Sequence, residues 1–149
     1  EQYRRAIDIH MHTGDKRALG LCFSNLAGVY LMSNDLTAVT MYERALDISR
    51  EVNNPLDMAR AAAQLTNLHD KWLGSPAGAF KYRSLLMNLL RDQFGRSLQE
   101  TCCICMEDLN AQDPEARGLV VLPACLHMFH EKCLSKWFER KSICPECRT

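Results

Sequence analysis

Hydrophobic residues in the first two thirds of the chain recur at the three- and four-residue spacing of amphipathic helices. The apolar positions between residues 19 and 30 share one helix face, and Asn34-Asp35 then interrupts the pattern. A second apolar face follows from Ala38 to Ile48. The pattern therefore predicts two helices joined by a short turn.

Two further helix starts are predicted from capping residues. Asn54-Pro55 and Ser75-Pro76 each place a side chain that can cap a helix directly before a proline. Proline is favoured at the first helical position because its missing N–H would have no helical partner there. We expect one helix after each pair, with the second running to about Phe94.

The helical part contains an internal repeat. The segment that begins at Tyr3 recurs 39 residues later at Tyr42, and a weaker echo begins at Tyr82. Each unit reads as a helical hairpin, so this part resembles tetratricopeptide repeats of a longer variety, about 40 residues instead of the usual 34. The first full unit consists of the two helices on either side of Asn34-Asp35, and five of its residues lie near the signature places of that family: Leu26, Ala27, Tyr30, Ala38 and Ala45.

The next unit departs from the pattern, since Thr66 and His69 stand in the places of Ala27 and Tyr30. We interpret it as a terminal repeat. Two functions stay open for the helical part. It is either a rigid spacer, or a surface that binds a protein partner or a second copy of the chain, as stacked repeats often do.

The charge balance argues against nucleic acid as a partner. Lysine plus arginine and aspartate plus glutamate both number 18, and no basic stripe is visible. The longest apolar runs are far shorter than the ~20 residues that cross a bilayer. Because the chain starts in what already reads as a helix, we expect it to be an excerpt of a longer protein.

Metal-ligand spacing dominates the C-terminal part. Seven of the eight cysteines lie between residues 102 and 147, together with two histidines. Two C-x2-C pairs and nearby histidines favour zinc over disulfides, and metal-bound thiolates suggest a reducing compartment. Eight residues form the candidate ligand set, enough for two tetrahedral sites: Cys102, Cys105, Cys125, His127, His130, Cys133, Cys144 and Cys147. The spacing alone does not show which ligands share an ion.

The order and spacing of these ligands resemble the RING-H2 family over residues 102–148. The resemblance implies a small α+β cross-brace fold. Its first zinc would be held by Cys102, Cys105, His130 and Cys133, and its second by Cys125, His127, Cys144 and Cys147. Two closed sites with three cysteines and one histidine each would make both zinc ions structural. The plant-homeodomain finger fits worse, because its characteristic tryptophan place holds Ser142.

RING domains dock a ubiquitin-conjugating enzyme, and the resemblance extends to their docking places. Ile104 lies between the first two ligands, Trp137 stands four residues after Cys133, and Pro145 follows Cys144. Any one of these residues alone would fit a small core equally well, but together they favour an apolar docking patch.

The residue after the last ligand is a second implied site, and one loop departs from the family. In active relatives a cation bridges the conjugating enzyme and ubiquitin in the place of Arg148, and we assign Arg148 that catalytic role. The family commonly reads Leu-Pro-Cys before the third ligand. Here Ala124 separates Pro123 from Cys125.

The order of the two parts resembles the rapsyn family, scaffolds that cluster acetylcholine receptors beneath the postsynaptic membrane. We divide the chain into tetratricopeptide-like repeats at 1–94 (about two and a half units), a linker at 95–101 and a RING-H2 domain at 102–149, and the fold class is mainly α. The first functional hypothesis is an E3 ligase for ubiquitin or a relative, with its substrate held by the repeats. The second is a cytoplasmic receptor scaffold, peripheral at the plasma or postsynaptic membrane, whose RING only binds protein.

Overall fold

The structure, a computed structural model, describes residues 1–95, 101–109 and 119–149. Five helices are followed by two short strands and a sixth helix. Their bounds are α1 (Gln2–Thr13), α2 (Lys16–Met32), α3 (Thr37–Glu51), α4 (Pro55–Lys71), α5 (Pro76–Phe94), β1 (Leu119–Val121), β2 (Met128–His130) and α6 (Glu131–Phe138). The mainly helical fold class is confirmed.

The predicted helix starts at Pro55 and Pro76 are confirmed, together with their caps. The Asn54 side chain accepts a hydrogen bond from the Asp57 N–H at 3.2 Å, and the Ser75 hydroxyl accepts one from the Gly78 N–H at 3.3 Å. These bonds satisfy N–H groups that have no partner within the helix.

Each of the first five helices packs on its neighbours in the chain, with the widest contacts inside the pairs α2–α3 and α4–α5. Small residues allow this close approach, since Ala27 and Ala38 are fully buried. The repeat also has a structural counterpart, because Tyr42 and Tyr82 are 5% and 3% exposed in the same core cluster.

The C-terminal part is built on a two-stranded antiparallel sheet. Strands β1 and β2 pair with Val120 opposite Phe129, and α6 begins directly after β2. Phe129 of β2 is fully buried in a hydrophobic core cluster. A separate bridge joins Thr101 to Asp108.

The helical part and the C-terminal part share one hydrophobic core. Ala62 and Leu86 of α4 and α5 belong to the same buried cluster as Val121, Phe129 and Leu134. A salt bridge of 2.6 Å between Lys71 and Glu131 lies on the same junction, and the Asn67 side chain bonds the backbone of β1. The two parts are therefore packed as one body along α4.

The predicted linker at 95–101 is described only at its ends. Gly95 closes α5 with φ of 58°, a left-handed conformation that suits glycine, and Thr101 forms the bridge to Asp108. Residues 96–100 lie outside the described ranges. None of the helices in the described ranges is long and apolar enough to cross a membrane.

Candidate metal centre and docking surface

Residues 102–107 and 144–149 fold into the same tight turn, with the two cysteines of each C-x2-C pair at the same places. Two backbone hydrogen bonds close each turn. The N–H of the first cysteine donates to the carbonyl of the sixth residue of the turn, and the N–H of the fifth residue donates to the carbonyl of the first cysteine. The four bonds are Cys102 N to Glu107 O (2.9 Å), Met106 N to Cys102 O (2.7 Å), Cys144 N to Thr149 O (2.9 Å) and Arg148 N to Cys144 O (2.9 Å). This shape turns both thiols of a pair to one side.

A third turn of the same shape spans residues 122–127. Leu122 N donates to His127 O at 2.9 Å, and Leu126 N donates to Leu122 O at 2.6 Å. Leu122 thus takes the place of the first cysteine, and Cys125 takes the place of the second. Ala124 is exposed inside this turn, so the turn accommodates the extra residue that distinguishes it from the family pattern.

The three turns share a left-handed residue at the same place. Met106 and Leu126 have φ of 61°, and Arg148 has φ of 59°. Side chains other than glycine adopt this conformation at a cost of about 1–2 kcal/mol. The hydrogen bonds of each turn, and the metal that the turns are built to hold, offset that cost.

The ligand atoms gather into two groups of four. One contains Cys102, Cys105, His130 and Cys133, and the other contains Cys125, His127, Cys144 and Cys147. Within each group all ligand atoms lie within 4.8 Å of one another. The structure therefore places together the same fours that the family resemblance implies.

The separations inside the two groups fit tetrahedral zinc. Zinc lies about 2.3 Å from sulfur and about 2.0 Å from nitrogen, which puts such ligands roughly 3.5 Å apart in a tetrahedral site. The Cys105 Sγ lies 3.3 Å from the His130 Nδ1, and the Cys144 Sγ lies 3.6 Å from the His127 Nδ1. Both groups are Cys3His sets of the kind that binds structural zinc, so the residues fit two structural zinc ions.

A backbone carbonyl orients the histidine of the first group. The His130 Nε2 lies 3.2 Å from the Asp108 carbonyl oxygen, which fixes the proton on Nε2 and leaves Nδ1 free to face the cysteines. Histidines that bind metal commonly have this outer partner, because it holds the ring in one tautomer and one orientation. His130 is also 5% exposed, so the imidazole is shielded from water.

The local environment shifts the pKa values of four ligand thiols, those of Cys102, Cys125, Cys133 and Cys147. Burial raises the pKa of Cys125 to about 12 and the pKa of Cys133 to about 11. Burial would raise the pKa of Cys102 as well, but the backbone N–H groups of His130 and Ile104 point at its sulfur and lower it. A bound cation would therefore displace protons from Cys125 and Cys133.

The thiols of Cys147, on the C-terminal turn, and Cys103, on the first turn, have opposite pKa shifts. A 2.9 Å hydrogen bond with the Thr149 hydroxyl lowers the pKa of Cys147 to about 6. Burial and then a hydrogen bond with Glu146 raise the pKa of Cys103 to about 12. Cys103 therefore stays a thiol at neutral pH, which does not suit a nucleophile.

A groove of about 770 Å³ lies between the first turn and α6. Ile104 and Trp137 both line it, and both are half-buried. The Trp137 indole N–H donates to the Ile143 carbonyl at 2.8 Å, which fixes the ring. The groove thus presents a preformed apolar floor.

The structure does not place the other two predicted site residues in this groove. Half-buried Pro145 and exposed Arg148 lie on the turn 144–149. That turn adjoins the first one, since Cys103 and Glu146 interact. The assignment of Ile104, Trp137, Pro145 and Arg148 to docking and catalysis stays a prediction.

Sequence reasoning missed two features of the site. Leu122 and Cys125 have the same spacing as a C-x2-C pair, and that spacing was a signal for the third turn. The row of cations along the groove, formed by Lys132, Lys136 and Arg140, follows a four-residue helical spacing that was also readable.

Comparisons with known proteins cover the C-terminal third of the chain. The family model described as Ring finger domain matches residues 100–148. RING finger protein 122 from mouse and from human are 48% identical over 48 residues, which is 32% of this chain and 28% of theirs. No solved structure matches.

Plant proteins match the same region. An E3 ubiquitin-protein ligase from rice is 41% identical over 51 residues, which is 34% of this chain and 19% of the relative. RING-H2 finger protein ATL5 from Arabidopsis thaliana is 43% identical over 49 residues, 33% of this chain and 18% of the relative. The chain spans less than a third of the length of these relatives. With the paired Cys3His groups, these matches make the C-terminal third of the chain a RING-H2 domain, of the kind present in RING-type E3 ubiquitin ligases.

Proposed function

We propose that this chain acts as a RING-type E3 ligase, which holds a conjugating enzyme charged with ubiquitin or a relative and promotes transfer to a lysine. The observation that carries the proposal is the groove between the first turn and α6, whose apolar floor is formed by Ile104 and Trp137. The floor is fixed by the Trp137–Ile143 hydrogen bond and flanked by a metal-ligand group. A rigid apolar groove is suited to bind an apolar loop of a partner.

The catalysis proposed here is positioning. Both Cys3His groups are closed sets, so their zinc ions would hold the turns in place and leave no position for a water. Ile104, Trp137 and Pro145 would hold the conjugating enzyme. Arg148 would contact enzyme and ubiquitin together through its planar, permanently charged guanidinium, which restricts the thioester to reactive orientations.

A binding titration tests the docking role of the groove. Zinc-loaded protein is titrated with a panel of conjugating enzymes, and Trp137→Ala is compared with Trp72→Ala, which changes the chain's other tryptophan at the end of α4. Loss of binding in Trp137→Ala alone, at unchanged zinc content, supports the groove. Equal binding by both variants would contradict it.

For the helical part we propose tetratricopeptide-like repeats that hold the protein to be modified. The support is the equivalent burial of Tyr42 and Tyr82, 40 residues apart, at the same place of successive hairpins. A truncated chain that begins at α4 should still discharge ubiquitin to free lysine. It should modify the partner protein much more slowly if the earlier helices hold that partner.

The alternative function is a rapsyn-like cytoplasmic scaffold, peripheral at the plasma or postsynaptic membrane, that associates with itself and clusters receptors. The shared core of α4, α5 and the RING-H2 domain favours it, because a scaffold needs its binding surfaces held rigidly. Measuring receptor clustering in cells that express Ile104→Ala separates the two functions. If the chain is a scaffold, clustering should persist in this variant. If clustering depends on ligase activity, it should be lost.

A further inference from the structure

The rim of the docking groove carries an excess of positive charge. Lys132, Lys136, Arg140 and Lys141 line the groove, and Glu139 is the one carboxylate in the lining among the residues that the structure describes. The whole chain, by contrast, balances 18 cationic against 18 anionic side chains. The excess is therefore a local property of this surface.

The cations lie in a row because of helix geometry. Lys132 and Lys136 are four residues apart on α6, which places them on one face, and Arg140 follows four residues later in the turn that ends the helix. Cys133 and Trp137 occupy the adjacent stripe and face the groove. The row thus forms one wall beside the apolar floor.

The charges of this row have no partner within the described part of the chain. No carboxylate there forms an ion pair with Lys132, Lys136 or Arg140, and all three side chains are exposed. Glu131, at the start of the same helix, is instead paired with Lys71. Lys141 lies over the Trp137 ring, 5.3 Å from its centre, and extends the positive field across the floor.

A partner that covers the groove must compensate these cations. An apolar loop without acidic residues would remove water from the charges without forming ion pairs or hydrogen bonds with them, which costs free energy. A loop with carboxylates beside its apolar contacts would pair with the row and be attracted from a distance.

We infer that the groove selects conjugating enzymes whose docking loops carry acidic residues next to the apolar ones. The inference rests on the function proposed above and adds the class of partner. The charged wall governs the choice among enzymes and the rate of association, while Ile104 and Trp137 supply the contact that all of them share.

The test measures the Kd of the zinc-loaded chain for a panel of conjugating enzymes grouped by the charge of their docking loops, at about 50 and 300 mM salt, a range over which screening between exposed charges changes strongly. The test variant is Lys136→Glu/Arg140→Glu. The matched control is Arg17→Glu/Lys81→Glu, which makes the same charge change on exposed residues of α2 and α5. Zinc content and thermal unfolding are recorded for every variant.

We expect the wild type to bind acidic-loop enzymes more tightly, with the preference shrinking at high salt. Each exposed pair contributes a two- to fivefold effect, so the double variant should lose about tenfold for these enzymes while the control loses none. Replacing the acidic loop residues of such an enzyme by lysine should restore binding to the double variant.

Two results would overturn this inference and leave the ligase proposal intact. In the first, the wild type has the same Kd for enzymes with acidic and with other docking loops. In the second, the double variant binds as tightly as the control variant. Absence of binding by any enzyme to the wild type, at either salt concentration, would overturn the ligase proposal itself.

Discussion

Asn67 of α4 holds the backbone of Val121 through two hydrogen bonds. Its Nδ2 donates to the Val121 carbonyl at 2.8 Å, and its Oδ1 accepts from the Val121 N–H at 3.0 Å. The Asn67 amide thus makes with β1 the pair of hydrogen bonds that the backbone of an adjacent strand would make. One residue of the helical part thereby fixes the position of the RING-H2 sheet.

Replacing Asn67 should destabilise the junction. Asn67→Ala leaves a fully buried Val121 backbone without its partners, which costs about 1–3 kcal/mol for groups left unsatisfied. Chemical denaturation of the zinc-loaded protein measures the loss. Asn25→Ala, on the exposed surface of α2, is the control and should change stability by less than about 0.5 kcal/mol. Equal stability of the two variants would show that the amide does not hold the strand.

Loss of one metal site should also loosen the last helical pair. Cys133 belongs to the first ligand group, and Leu86 and Leu90 of α5 pack in the core that this group supports. In Cys133→Ser we expect amide exchange to accelerate in α4 and α5 as well as in the RING-H2 domain, while α1 and α2 keep their protection. Cys22→Ser, outside both groups, controls for loss of a thiol. Unchanged protection of α5 in Cys133→Ser would mean that the two parts are independent.

The left-handed residues of the first and third turns predict opposite effects of glycine. Met106 is 75% exposed at φ of 61°, so Met106→Gly relieves strain and loses little burial. After the extra chain entropy of glycine, we expect a gain of about 0.5–1 kcal/mol. Leu126 has the same φ but is 6% exposed, so Leu126→Gly should lose about 2 kcal/mol or more. Thermal unfolding of the zinc-loaded variants compares them, and the same sign for both would refute the argument from strain.

Gly78 allows α5 to approach the imidazole of His69. A Cβ at Gly78 would overlap the His69 ring, which packs against Tyr82 with ring centres 5.2 Å apart. Gly78→Ala should therefore destabilise the chain by about 1–3 kcal/mol. Adding His69→Ser should recover part of that loss.

The control for this prediction is Gly28→Ala in α2. A Cβ there meets the Tyr42 hydroxyl at an ordinary 3.8 Å, so alanine should stabilise the helix by about 0.5–1 kcal/mol. Similar stability of Gly78→Ala and Gly28→Ala would contradict the close approach of α5 to His69.

Local features of the fold were predictable from sequence, and features that depend on docking were not. The starts of α4 and α5 follow from the caps Asn54 and Ser75, since capping involves only a few neighbouring residues. The zinc turns follow from ligand spacing, while the pairing of the ligands came from the family resemblance. The Asn67–Val121 contact joins residues 54 positions apart, and a polar residue on a helix carries no signal of such a partner.

The third turn shows a different limit. Leu122 stands where the other two turns have their first cysteine. Because leucine cannot bind zinc, the ligand pattern gives no sign of this turn, although the backbone of Leu122 makes the same hydrogen bonds as that of Cys102 and Cys144. The turn is defined by backbone geometry, and the ligands are added to it.

The discharge of ubiquitin from a charged conjugating enzyme to free lysine tests the central claim most directly. Zinc-loaded wild type is compared with Ile104→Ala, Arg148→Ala and the remote control Arg17→Ala in single-turnover reactions. We predict acceleration by the wild type and the control, and a loss of about tenfold or more in the two site variants at unchanged zinc content. A zinc-loaded wild type that accelerates discharge from no enzyme of a broad panel, or site variants as active as the control, would contradict the account.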